Sequence, residues 1–92
     1  MRVRWSRDAL ADLRRLHAFL APVGLLIADE AINSILEAPD RLIDHPRLGE
    51  RVDRYVDREI RHLLVDDYEL HYEVAFDLIL IIRVWHMRED RP

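Results

Sequence analysis

Apolar and polar residues alternate over Arg2-Val3-Arg4-Trp5, as in a short half-buried strand, and the spacing then changes to steps of three and four. Ser6 sits at the switch as a candidate helix N-cap, with Asp8 in the first turn where the helix dipole favours acid. Leu10, Leu13, Leu16, His17 and Leu20 mark one face of an amphipathic helix and leave Arg7, Asp8, Arg14 and Arg15 toward water. Pro22 disfavours a helical Ala21, and Gly24 follows, so this helix stops near Leu20. Ala28, Ala31, Ile32, Ile35, Leu36, Pro39, Leu42 and Ile43 form a second stripe, which predicts a helical hairpin. Pro39 has no N–H for Ile35 and its ring crowds that carbonyl, so a kink or restart is expected there. Pro46 and Gly49 end the helix by His45.

Segment 47–57 has charges and little periodicity and reads as a surface connection with room for a short strand. Strand candidates follow at about 58–65, 68–76 and 78–86, separated by Asp66-Asp67 and Phe76-Asp77. In the middle one, Tyr68, Leu70, Tyr72, Val74 and Phe76 share a face, and Glu69, His71, Glu73 and Ala75 share the other. The last opens on Leu78 to Ile82, which is apolar on both faces, so two registers are open. One puts Leu80, Ile82 and Val84 under the helices and Arg83 near Glu69 and Glu73. A strict two-residue turn instead sets Arg83 beside Leu70. The first is preferred because a buried unpaired arginine is costly. The order β-α-α-β-β-β predicts an α+β fold over residues 1–92, one domain, with a two-helix hairpin on one face of a mostly antiparallel sheet.

Composition narrows the chemistry. The 92 residues are half hydrophobic and about a third charged, which is a globular balance. Cysteine is absent, so disulfides and thiolate metal sites are excluded. No apolar run reaches the ~18 residues of a membrane span, and a strand directly after Met1 leaves no room for a signal peptide; a cytoplasmic protein without direct membrane binding is expected. A net charge of −4 argues against bulk electrostatic binding to nucleic acid. All 14 basic residues are arginine, which removes every lysine-dependent mechanism.

The candidate chemistry gathers at the end of the last strand. Arg83, Trp85, His86 and Arg88 follow directly on its apolar run, and Arg61 lies two strands earlier. Arginine forks suit phosphate oxygens or carboxylates. His86 is a candidate general acid or base, and Trp85 a base-stacking or partner-anchoring group. His62 and His71 match no familiar zinc spacing, so neither a metal nor a cofactor is expected.

Four words of the sequence carry a resemblance. I-I-R-V-W-H-M-R-E-D-R (Ile81 to Arg91), R-H-L-L-V-D-D-Y-E-L-H-Y-E-V (Arg61 to Val74), A-D-L near Ala11 and H-P-R-L-G near His45 occur in that family's order. Together they resemble the RelE/ParE superfamily of type II toxins, on the ParE-like side. That resemblance implies inhibition of DNA gyrase by protein–protein binding, growth inhibition, and neutralisation by a cognate antitoxin in a heteromeric complex. The target-binding candidates are then Arg61, Arg83, Trp85, His86 and Arg88. Arg7, Arg14 and Arg15, with the helical hairpin and the sheet edge, are candidates for the antitoxin. The alternative is a RelE-like ribosome-dependent mRNA endonuclease using His86, Arg61, Arg83 and Arg88. Glu69 stands where such a nuclease has arginine, lysine is missing, and the chain ends E-D-R-P without an aromatic. These departures favour a protein that is not an enzyme. A further alternative is an inactive, toxin-like module that only binds antitoxin.

Overall fold

Ser6 caps the first helix as its position predicts: its Oγ accepts the Ala9 N–H at 3.0 Å. The structure, a computed structural model, describes residues 1–91. Strand β1 (Arg2–Trp5) leads into α1 (Arg7–Leu20), which α2 (Leu25–Glu37) follows to complete the hairpin. The second stripe breaks at Pro39, and a one-turn helix, α3 (Asp40–Asp44), carries the chain on. After β2 (Glu50–Arg51) come β3 (Ile60–Val65), β4 (Tyr68–Ala75) and β5 (Leu78–His86). The sheet runs β1-β5-β4-β3-β2; β1 pairs parallel with β5 and the other pairs are antiparallel. This is the expected α+β architecture, with α3 and the short β2 added.

Both hairpins turn in two residues without glycine. Asp66 (φ 53°) and Asp77 (φ 56°) take the left-handed conformation, which aspartate tolerates better than bulkier residues.

The core lies between the helices and the sheet. Ala9, Leu13 and Leu16 of α1 and Ile35 of α2 meet Leu63, Leu70, Tyr72, Ile79, Ile81 and Val84. Two expectations fail here. On α1 the buried face is turned from the leucine stripe, so that Leu10 is exposed and Asp12 is buried. On β5, Ile79 and Ile81 enter the core instead of Leu80 and Ile82. The turn is the tight one, with Ala75 opposite Leu78, yet Leu70 faces Val84 and not Arg83. A bulge reconciles the two: Tyr72 pairs with Ile81 and His71 with Arg83, which leaves Ile82 without a partner and flips the strand's alternation.

Candidate functional site

Strand β1 stops pairing at Trp5, opposite Ile81, so the rest of β5 presents an open backbone edge. The first helix closes it. Ser6 Oγ donates to the carbonyl of Ile82 at 3.0 Å, Asp12 Oδ2 accepts the Val84 N–H at 2.8 Å, and Arg15 Nη2 donates to the Val84 carbonyl at 3.1 Å. Glu89 returns from beyond the strand to accept the His86 N–H at 3.3 Å. An edge that would otherwise template another chain is covered by side chains.

Asp12 is the centre of this arrangement. Besides Val84 it accepts from Arg83 Nε at 2.9 Å and Nη2 at 3.2 Å, and from Arg15. Burial pushes its carboxyl up, but the bonds from Arg83, Val84 and Arg15 outweigh that and hold it below the usual range. Arg83 therefore pairs with helix α1 and not with Glu69 and Glu73, as the strand-to-strand reading had expected. Arg15, a candidate for antitoxin contact, is also engaged internally: its Nε and Nη2 meet the two Glu89 oxygens at 2.7 and 3.0 Å. Arg7 and Arg14 are exposed.

Glu69 organises the sheet face away from Leu70 and Tyr72. It accepts from His71 Nε2 at 2.7 Å and His62 Nδ1 at 3.2 Å, and pairs with Arg91. Burial again works against ionisation, and these donors overcome it, bringing the carboxyl down to about 2. Trp85 lies between two guanidinium groups, Arg83 at 4.6 Å and Arg91 at 4.8 Å from the ring centroid, with the His71 ring at its edge, 4.9 Å away. Glu73 takes Arg58 through two bonds, at 2.8 and 3.0 Å.

The five target-binding candidates divide into three places. Arg83 and Trp85 belong to the Glu69 face. His86 packs its ring edgewise on Tyr68 at 5.3 Å and, with Arg88, lines a cavity against α1. Arg61 stands apart, in the row of Tyr72 and Ile81, bonded to Glu59 at 2.8 Å and to the Gly49 carbonyl at 2.8 Å. Residues the sequence reading assigned no role in a site, Asp12, Glu69, His71 and Arg91, hold the region together. Asp12 had a sequence signal in the helix face it shares with Ala9 and Leu16 at three- and four-residue steps, and Glu69 and His71 had one in the strand face they share; Arg91 had none.

Acid stability follows from these groups. Burial lowers the His71 pKa below 6.5 despite the bond to Glu69. The unfolded chain thus takes up the His71 proton first, and stability begins to fall as pH drops through about 6.5. Glu69, with its depressed pKa, contributes stability that is full above about 4.5 and is lost toward pH 2, on the order of 3 kcal/mol. Urea unfolding from pH 7.5 to 3 is expected to give both declines. His71→Gln removes the upper one, and a slope between pH 7 and 5 that survives this change contradicts the assignment.

A helical hairpin layered on a five-stranded mixed sheet, with an arginine- and tryptophan-bearing last strand beside the first helix, is the fold of the RelE/ParE class. The chain belongs to the ParE toxin family of type II toxin–antitoxin systems, parDE, whose family model matches residues 3–91. Among solved structures, the chromosomal ParDE toxin–antitoxin system from P. aeruginosa is similar with a TM-score of 0.78 at 23% identity, over 96% of this chain and 97% of that one. The archaeal RelE–RelB complex from Pyrococcus horikoshii OT3 is similar with a TM-score of 0.66 at 17% identity, over 97% of both chains. No curated protein matches the chain. No helix among the described residues is long and apolar enough to cross a membrane.

Proposed function

We propose that this toxin inhibits DNA gyrase by binding it, without cleaving RNA, and that a cognate antitoxin neutralises it. The gyrase target rests on the ParE resemblance. The observation that carries the choice against a nuclease is where the arginines go. Cleavage at a ribose 2′-hydroxyl needs cations free to meet a charged phosphorane, and an acid/base pair beside them. Of the three arginines in the nuclease set only Arg88 has no carboxylate partner among the described residues, one cation where several are needed; Arg61 is bonded to Glu59 and Arg83 to Asp12, as are Arg58 to Glu73 and Arg91 to Glu69. Recruiting any of these bonded arginines to phosphate leaves a carboxylate behind at the same place. Glu69 also adds negative charge on the face where the nuclease branch is expected to carry arginine. The antitoxin is supported by relatives that are themselves a ParDE system and a RelE–RelB complex.

Supercoiling of relaxed plasmid by gyrase, run beside ribosome-programmed mRNA cleavage, tests this reading. Loss of supercoiling with intact mRNA is expected, and His86→Ala should leave that inhibition largely unchanged. Cleaved mRNA with active gyrase, reduced about 10²–10⁴-fold by His86→Ala or Arg61→Ala, overturns it in favour of the endonuclease. Silence in both assays favours a module that only binds antitoxin.

A further inference from the structure

The face of the helical hairpin turned from the sheet carries two exposed ridges. On α1, Arg7, Ala11, Arg14 and Ala18 recur at steps of four, three and four; on α2, Leu26, Glu30, Asn33 and Glu37 recur at the same steps. All eight side chains are exposed, while Ala9, Leu13 and Leu16 of one helix and Ala28 and Ile35 of the other are buried against the core. Along the same hairpin Leu10 is 42% exposed, Leu36 43%, Leu25 66% and Leu26 71%, apolar surface that one copy of the chain does not bury.

The two ridges carry opposite charges at equal spacing. Arg7 and Arg14 stand seven residues apart on α1, and Glu30 and Glu37 stand seven apart on α2. The His17 Nε2–Asp29 Oδ1 bond, 2.8 Å, sets the relative height of the antiparallel helices. Counting away from it at about 1.5 Å per residue brings Arg14 level with Glu30, and Arg7 level with Glu37, to within about 3 Å. By the same count Ala18 falls level with Leu26 and Ala11 with Asn33, a small side chain facing a larger one. None of the four charged groups has an ion-pair partner among the described residues. The remaining charges of these helices are engaged elsewhere. Asp12 and Arg15 bond to β5, Asp29 holds His17, and Asp8 lies on the flank of α1 that acts on Arg83. Glu37 shares a hollow with Arg41, so Arg14 and Glu30 make the more telling pair.

We infer that this face pairs with its own counterpart in a second copy of the chain. A two-fold axis along the hairpin lays α1 of each copy over α2 of the other and brings Arg14 to Glu30 twice. The apposed helices run antiparallel, so their dipoles oppose, and the four helices form a bundle in which the low alanine positions receive Leu26 and Asn33. Two helices about 20 Å long and roughly 10 Å apart offer on the order of 500 Å² per copy, below the standard interface size, so the dimer is reversible. A second copy is selected because the face is its own complement, with both signs at one spacing about one axis. The contact concerns the toxin free of antitoxin and is independent of the choice of gyrase as target.

Sedimentation equilibrium of the whole, antitoxin-free chain from about 1 to about 300 µM tests this. A monomer–dimer equilibrium with a Kd on the order of 10–100 µM is expected, weaker at high salt. R14E and E30R should each raise the Kd at least about tenfold, and the double variant R14E/E30R should return it to within about threefold of wild type. L26E should abolish the dimer. All three positions are exposed, so thermal melts should place every variant near the Tm of the parent. A chain that stays monomeric throughout, a dimer indifferent to L26E, or a double variant no better than the singles overturns the proposal. A monomeric chain whose affinity for antitoxin falls with L26E and R14E also overturns it, and gives the face to the antitoxin.

Discussion

Asp12→Ala is expected to be the most damaging single change in the protein, costing about 3–5 kcal/mol, the usual loss when one partner of a buried ion pair is removed. Its carboxylate is nearly inaccessible and serves Arg83, Arg15 and the Val84 N–H together. Alanine leaves two partly exposed guanidinium groups without that anion and, more costly, a buried N–H with no acceptor. Against a total stability of roughly 5–15 kcal/mol, this is enough to lower the Tm by more than about 10 °C. Asp12→Asn keeps an acceptor for Val84 but not the charge, and should fall between alanine and wild type. Arg83→Ala should cost less, because Asp12 retains Arg15 and the Val84 N–H. A double-mutant cycle between Asp12 and Arg83 should then give a coupling of about 1–3 kcal/mol. Thermal melts of the three variants decide this, and an Asp12→Ala protein that melts within a degree or two of wild type contradicts the account.

Gly49→Ala is expected to cost about 3 kcal/mol, by a different route. A Cβ at this position would stand 2.5 Å from the His62 carbonyl oxygen and 2.8 Å from both Cε1 and Oη of Tyr72. The first obstacle is the backbone of β3 on its β2 side, and the second is a fully buried ring, so neither yields cheaply. The ring also secures the 45–49 loop: Tyr72 Oη donates to the Pro46 carbonyl at 2.8 Å and accepts the Gly49 N–H at 2.9 Å. Displacing it strains the loop and breaks both bonds. Tyr72→Phe alone should cost about 1–3 kcal/mol, since a buried N–H and a carbonyl lose their partner. In the Tyr72→Phe background the alanine should cost less than in wild type, because one of its obstacles, the hydroxyl, is gone. An undiminished cost there assigns the whole effect to the His62 carbonyl. Urea midpoints with unchanged m-values are the required readout.

That loop also illustrates what can be read from a sequence. H-P-R-L-G looked like a helix terminator followed by a family word, and both readings stand. Its reason for glycine, a tyrosine hydroxyl and a strand carbonyl packed against the Cα, involves residues 13 and 23 positions away and leaves no local trace.

The same division runs through the rest of the chain. The Ser6 cap, the stop after Leu20, the break at Pro39 and the existence of the long strands were legible, because each depends on neighbours within one turn or on alternation along one segment. The face of α1 was misread because leucines outweighed one acid in the pattern, while the acid's partner, Arg83, lies 71 residues away. The register of the last hairpin was undecidable within Leu78 to Ile82, where both faces are apolar and alternation carries no information. A bulge at Ile82, whose carbonyl Ser6 satisfies, then shifted the parity. The candidate site fared likewise: Arg83, Trp85, His86 and Arg88 were visible as a cluster in the sequence, but the strand's two faces separate them. By itself the sequence determined which segments are helix and strand and which family the words resemble, since these rest on short-range sterics and periodicity. Which carboxylate each arginine meets, and so which cations remain for a partner, only the tertiary structure decided, because those pairings form between segments whose approach depends on the whole fold.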